Sequence, residues 1–123
     1  MNFNSKIPIY LQLHNHFQKM ILSGELAPGM PIPSVRKVAS EVHVNANTVQ
    51  HAMIFLMHEG LVESHKGKGY SVIKDQQTII YRRQNLVQRT TIRFLHTMKE
   101  LGYNRQQITE AIFQYSHSDE NRI

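Results

Sequence analysis

Between Asn45 and His51 the chain reads Asn-Ala-Asn-Thr-Val-Gln-His, and five of these seven side chains are polar donors or acceptors. Asn and Gln set a carbonyl oxygen beside an NH2 group, which matches the edge that adenine shows in the major groove. A Thr hydroxyl serves either base type, and its methyl can meet thymine. Such groups are useful on the exposed N-terminal part of a helix, because that end meets base edges when a helix enters the groove. A polar face turned to water has the same composition, so the flanks must decide. Arg36 and Lys37 follow Ser34 at what reads as a helix start, where positive charge opposes the helix dipole and a phosphate would relieve the conflict. Further on, Lys66 and Lys68 alternate with Gly67 and Gly69, a pattern that allows close backbone approach to a sugar–phosphate strand or a minor groove. The candidate contacts to double-stranded DNA are therefore Ser34, Arg36, Lys37, Asn45, Asn47, Thr48, Gln50, His51, Lys66, Gly67, Lys68 and Gly69.

Other chemistry finds less support. The chain has no cysteine, which excludes disulfides, thiolate metal sites, iron–sulfur clusters and Cys nucleophiles. Eight histidines invite a metal reading. His14 and His16 are two apart and point away from each other on a helix, His51 and His58 lack a third ligand between them, and His65, His96 and His117 are dispersed. No metal or cofactor is expected. Gly-rich phosphate loop, HExxH and nucleophile elbow are all missing, so no enzyme is expected either. Arg82, Arg83, Arg89 and Arg93 could receive an anion, but a solvated or DNA-adjacent face explains them better, and a small-molecule effector is possible without being evident.

The elements that must hold these residues follow from periodicity. A first helix opens near Pro8 and carries Tyr10, Leu13, Phe17, Met20 and Ile21 as an apolar stripe, stopping at Gly24. Residues 26–33 contain three of the four prolines and read as a stiff loop. Ser34 caps a short helix with Val35, Val38, Ala39 and Val42 inward, and His43-Val44 is a tight turn. Asn45 caps a third helix with Val49, Ala52, Met53 and Leu56 inward, closed by Gly60. This is the outline of a helix-turn-helix. Residues 61–64 and 70–73 read as two strands around the basic Lys66–Gly69 tip, completing a winged helix.

After a polar junction at 74–78, a long helix is expected over about 79–101. Positions 80, 84, 87, 91, 94, 98 and 101 step by alternating four and three residues; Ile80, Val87, Phe94, Met98 and Leu101 are apolar, Gln84 and Thr91 are the exceptions, and Gly102 ends the segment. Asn104 with Gln107 fits a capping box for a last helix with Ile108, Ala111, Ile112 and Tyr115 inward, and the polar tail 116–123 should fray. A hairpin this small cannot bury its own stripe, so another surface must cover it, a second copy's or that of its own winged helix; on the first, Ile80, Val87, Thr91, Phe94, Met98, Leu101, Ile108 and Ile112 are the candidate dimerisation residues. The fold class is mainly α with a small β-hairpin: a winged helix-turn-helix over 1–75, then a two-helix dimerisation hairpin over 76–123.

The 123 residues suffice for one compact domain plus such an appendage. A net charge of +5 favours polyanionic partners, but it is not concentrated in the reader: seven basic and five acidic residues stand up to Asp75, seven and four after it. No signal peptide and no apolar run of about 20 residues is visible, so a cytoplasmic protein without membrane contact is expected.

Pro33-Ser34-Val35-Arg36, Val44-Asn45-Ala46-Asn47-Thr48-Val49 with Ala52, Glu59-Gly60-Leu61-Val62 and Lys66-Gly67-Lys68-Gly69-Tyr70 occur in this order. Together with Pro8-Ile9-Tyr10 and the run from Ile21 to Gly29, they resemble the winged-helix domain of GntR-family bacterial transcription regulators over roughly residues 6–74. The short C-terminal helix–Gly–helix resembles the YtrA-type subgroup. That resemblance implies a homodimer on a near-palindromic operator, acting as a repressor, with recognition helices in successive major grooves and wing tips in or near the minor groove. It also implies that the C-terminal helices dimerise. The resemblance also implies that Arg36 contacts phosphate or a base; many members carry arginines where this chain has Ala46, Gln50 and His51, so arginine–guanine readout is not expected from this recognition helix and an A·T-leaning site is expected. The rival expectation is a winged helix that binds a partner protein, which would have no need of the basic wing or of Arg36 and Lys37.

Overall fold

Leu13, Phe17 and Ile21 recur every four residues, and in the computed structural model of the chain, which describes residues 1–120, all three are buried along the inner face of the first helix. This helix, α1 (Ile9–Leu22), follows Pro8, whose missing N–H costs nothing at that position. The Gln12 side chain reaches back to Asn4 and Ile7, exchanging hydrogen bonds of 2.7–2.8 Å with their backbone.

The second and third helices begin where the sequence places their caps. Ser34 Oγ accepts the Lys37 N–H at 3.1 Å to open α2 (Val35–Val42), and Asn45 Oδ1 accepts the Asn47 N–H at 2.8 Å to open α3 (Ala46–His58). Between them the turn depends on His43, which sits in the left-handed region with φ of 58° while Val44 N–H returns to Ala39 O. Val49, Ala52, Met53 and Leu56 are fully buried on one face of α3. Helix α3 packs on α1 and α2, and Val49, Met53 and Leu56 each contribute about 1.5–3 kcal/mol on removal from water. Gly60, with φ of 76°, ends the third helix and lets Leu61 N–H cap Leu56 O.

The hairpin pairs β1 (Val62–His65) with β2 (Gly69–Val72) in antiparallel register, Val62 opposite Val72 and His65 opposite Gly69. Both strands are displaced by one residue from the expected spans. Leu61 N–H is held by the helix end, so Leu61 joins the hairpin only through its carbonyl, which accepts from Ile73 N–H at 3.1 Å, and the ladder proper starts at Val62. The proline-rich segment is more than a loop. Ile32 N–H donates to Tyr70 O and Val72 N–H to Met30 O, each at 2.9 Å, so residues 30–32 run as a bridge along the free edge of β2. Alternation explains how prolines permit this: Pro31 and Pro33 lack donors, but Ile32 between them keeps its own, and Gly29 N–H adds a second bond to Val72 O at 3.0 Å.

Helix α4 (Gln76–Glu100) starts three residues before the expected position, because Asp75 caps it by accepting from Gln77 N–H and Thr78 Oγ1, both at 3.0 Å. The chain divides into two compact units, residues 1–83 and 84–123. In the first unit Ile79 is buried and Arg83 donates a 3.0 Å hydrogen bond to Leu22 O, one of the carbonyls at the end of α1.

The second unit is a helical hairpin. Gly102, with φ of 87°, makes the turn, and the capping box forms as expected: Asn104 Oδ1 accepts from Gln107 N–H and Gln107 Oε1 from Asn104 N–H, both at 2.9 Å. The last helix, α5 (Arg105–Glu120), continues well past the point where fraying was expected; residues 121–123 lie outside the described part. Ile108 is buried, whereas Ile112 and Tyr115, expected inward, are 51% and 66% exposed. Two helices cover only one strip of each other, and a second layer is needed to bury the rest.

Candidate nucleic-acid interface

The caps that open α2 and α3 also fix the first turn of each. Arg36 and Lys37 are exposed in the first turn of α2, which contains no acidic residue. Among the described residues the ion pairs are His14–Glu59 and His96–Glu100, so neither Arg36, Lys37, Lys66 nor Lys68 is paired with a carboxylate. Four cations without protein partners strengthen the local positive field where the sequence reading places phosphates.

On α3, Asn47 and His51 are exposed, and Thr48 and Gln50 are half-buried. Asn45 is exposed but has committed its Oδ1 to the cap, which leaves its NH2 group as the outward donor. Gln50 and His51 each have a partner from another element. Gln50 Nε2 donates to Tyr70 Oη at 2.6 Å, and the His51 ring stacks on Tyr10 with centroids 3.7 Å apart and planes 11° from parallel. Sequence reasoning missed both partnerships. Tyr10 is only half-buried, its ring lying against His51, and was expected in the apolar stripe; no local spacing signals a contact between residues 41 positions apart.

The wing tip is a tight turn closed by Lys68 N–H to His65 O at 2.8 Å. Gly67 and Gly69 have φ of 73° and 79°, and a Cβ at either would meet nothing within 4 Å, so backbone conformation rather than crowding calls for glycine there. His65 is bonded across the hairpin to Ser71 Oγ at 2.6 Å.

Behind this face, His14 pairs with Glu59, which also accepts from Gln18 Nε2 at 3.3 Å, while the His14 ring lies 4.0 Å from that of Phe55. This buried cluster ties α1 to the end of α3 and leaves no side-chain polar atom unsatisfied. Among the described residues no group of three His, Asp or Glu side chains is arranged to hold a metal, and no helix is long and apolar enough to cross a membrane.

In the second unit, Thr90, Thr91, Phe94 and Met98 of α4 face Ala111, Ile112, Tyr115 and Ser116 of α5 across an open, largely apolar groove of about 610 Å³. Val87 and Leu101 are 58% and 69% exposed. Of the candidate dimerisation residues, Thr91, Phe94, Met98 and Ile112 therefore share one groove, Ile108 lies buried within the hairpin, and Ile80 belongs to the first unit beside Ile21 and Leu22.

A three-helix core, a helix-turn-helix and a basic two-stranded wing define a winged-helix protein. The model of bacterial regulatory proteins of the gntR family matches residues 9–72. The chain is 32% identical over 110 residues to the HTH-type transcriptional regulator YhcF of Bacillus subtilis, covering 89% of this chain and 91% of YhcF. It is 34% identical over 76 residues to the HTH-type transcriptional repressor YtrA of the same organism, spanning 62% of this chain and 58% of YtrA. A GntR family transcriptional regulator from Listeria monocytogenes superposes with a TM-score of 0.87 at 26% identity, over 91% of this chain and 98% of that one. The chain belongs to the GntR family of bacterial transcription regulators, in its short YtrA-type subgroup.

Proposed function

We propose that this regulator is a repressor that binds a near-palindromic operator as a homodimer, with residues 1–75 reading DNA and residues 76–123 dimerising. The observation that carries the reading is the exposed polar start of α3, flanked by four unpaired cations on the start of α2 and the wing tip. In this arrangement Arg36, Lys37, Lys66 and Lys68 supply sequence-independent affinity by neutralising phosphates. Asn47, Thr48, Gln50 and His51 read base edges, with Asn45 helping through its amide. The absence of Lys and Arg from residues 46–58 favours adenine-directed contacts over arginine–guanine pairs, and so an A·T-leaning site. A repressor's role is supported by likeness to the YtrA repressor, and the dimer by the exposed apolar side chains of the second unit. A symmetric dimer in turn calls for a palindromic site.

Selection from random duplexes by the purified full chain, followed by binding across a salt series, tests the reading. A palindromic A·T-leaning motif and a steep salt dependence are expected. Enrichment of a G·C-rich core would overturn the readout assignment, and failure to bind DNA at low salt would turn the winged helix into a protein-interaction module.

A further inference from the structure

We infer that Tyr70, on the wing, is a positioning residue for base readout: it holds the Gln50 amide in the orientation that meets a base edge. The inference rests on the operator-binding reading above and deepens it, naming a specificity determinant that lies outside the recognition helix.

Among the candidate contacts, Gln50 is the one whose side chain is hydrogen-bonded to a side chain of a different element, through the 2.6 Å bond from Nε2 to Tyr70 Oη. The anchor is firm. Tyr70 is paired with Ser64 across the hairpin, and its carbonyl accepts from Ile32 N–H at 2.9 Å on the other edge, so its backbone is held from both sides. A Tyr side chain has few torsions to fix, whereas a Gln side chain is long and loses more freedom on being ordered. A ring fixed on a two-sided strand therefore restrains an amide that would otherwise rotate.

The chemistry of the amide makes the restraint consequential. A free Gln can present either its oxygen or its NH2 group to a base and so suits several bases. Here one amide hydrogen is committed to Tyr70, which leaves Oε1 and the second amide hydrogen. That remaining donor–acceptor pair is the set that adenine N6 and N7 require. Pre-organising it removes ordering cost at the moment of binding and penalises bases that need the opposite orientation.

The test uses the full chain and the duplex it enriches from a random pool. Wild type, Tyr70→Phe, Gln50→Ala and the double variant are each titrated on that duplex, its single-base variants and an unselected duplex. Tyr70→Phe is expected to weaken the selected duplex about fivefold, the usual scale of one lost hydrogen bond. It should flatten the preference at one base pair per half-site and leave the unselected duplex unchanged. In the Gln50→Ala background the same substitution should change nothing further. The ratio of selected to unselected affinity does not depend on the active fraction, so partial loss of fold cannot imitate this pattern. A Tyr70→Phe effect that persists without Gln50, or that falls equally on every duplex, overturns the inference, as does no effect at all. If the wild type enriches no sequence, the operator-binding reading fails first, and the two failures are told apart by the wild-type selection alone.

Discussion

Asn45 commits its side-chain oxygen to the backbone of Asn47, and that single bond separates the two asparagines by task. Asn45 sets where the third helix begins, and Asn47, exposed with its amide uncommitted, is free to read a base. Asn47→Ala should cost about 1–3 kcal/mol on the enriched duplex and relax preference at one position, measured by competition binding. Lys68→Ala, by contrast, should weaken every duplex alike and reduce the salt slope. A change in thermal stability alone from Asn47→Ala would remove it from the interface. His43 offers a different kind of test. It is held at φ of 58°, where a Cβ is unfavourable, and its exposed position gives no packing in return. His43→Gly should stabilise the fold by about 1 kcal/mol, seen as a raised Tm, without altering the affinity for DNA.

At the scale of elements, local chemistry decides boundaries and distant chemistry decides partners. The two-carboxylate-oxygen cap at Asp75 is what starts the fourth helix at Gln76, ahead of the first apolar position of its stripe. Asp75→Ala should cost about 1 kcal/mol and shorten the helix by a turn, read as reduced far-UV CD amplitude and lower Tm. The caps at Ser34, Asn45 and Asn104 and the stop at Gly60 were legible in the sequence, because a cap is a relation between residues two or three apart. So was the buried face of the third helix, whose period is set by helix geometry, whereas Ile112 and Tyr115 of the last helix stay exposed. The bridge made by residues 30–32 was not legible: proline content argues for a loop, and only the neighbouring edge of β2 gives Ile32 a carbonyl to donate to. The same limit hid the roles of Tyr10 and Tyr70. Each looks like an ordinary aromatic until the fold brings it against His51 or Gln50. The candidate interface was thus readable as a set of residue types, while the contacts that orient two of its members exist only in three dimensions.

At the scale of the whole molecule, the second unit has too little surface of its own to cover what it displays. Ile108 is buried, yet Leu101, Ile112, Phe113 and Tyr115 are each more than half exposed, and the groove between the two helices is open. Exposed apolar side chains gathered on so small a unit mark an interaction surface, and in the homodimer proposed above a second copy covers them. Phe94, half-buried at the floor of that groove, is the residue through which the two demands meet. Phe94→Asp would set a carboxylate in this largely apolar groove, none of whose lining side chains is a cation, and should yield monomers by analytical ultracentrifugation. Because a core position could also unfold the hairpin, Leu101→Asp provides the companion variant: it is 69% exposed, so its charge is tolerated in the monomer and penalised only on association. Leu101→Asp should keep its helical CD signal, and both variants should lose the dimer and bind a full operator no more tightly than a half-site, since without the contact between copies the second reader is no longer held at the first one's side. A dimer that survives both substitutions would place association elsewhere in the chain, and the readers' spacing would then have to be set by the winged helices themselves.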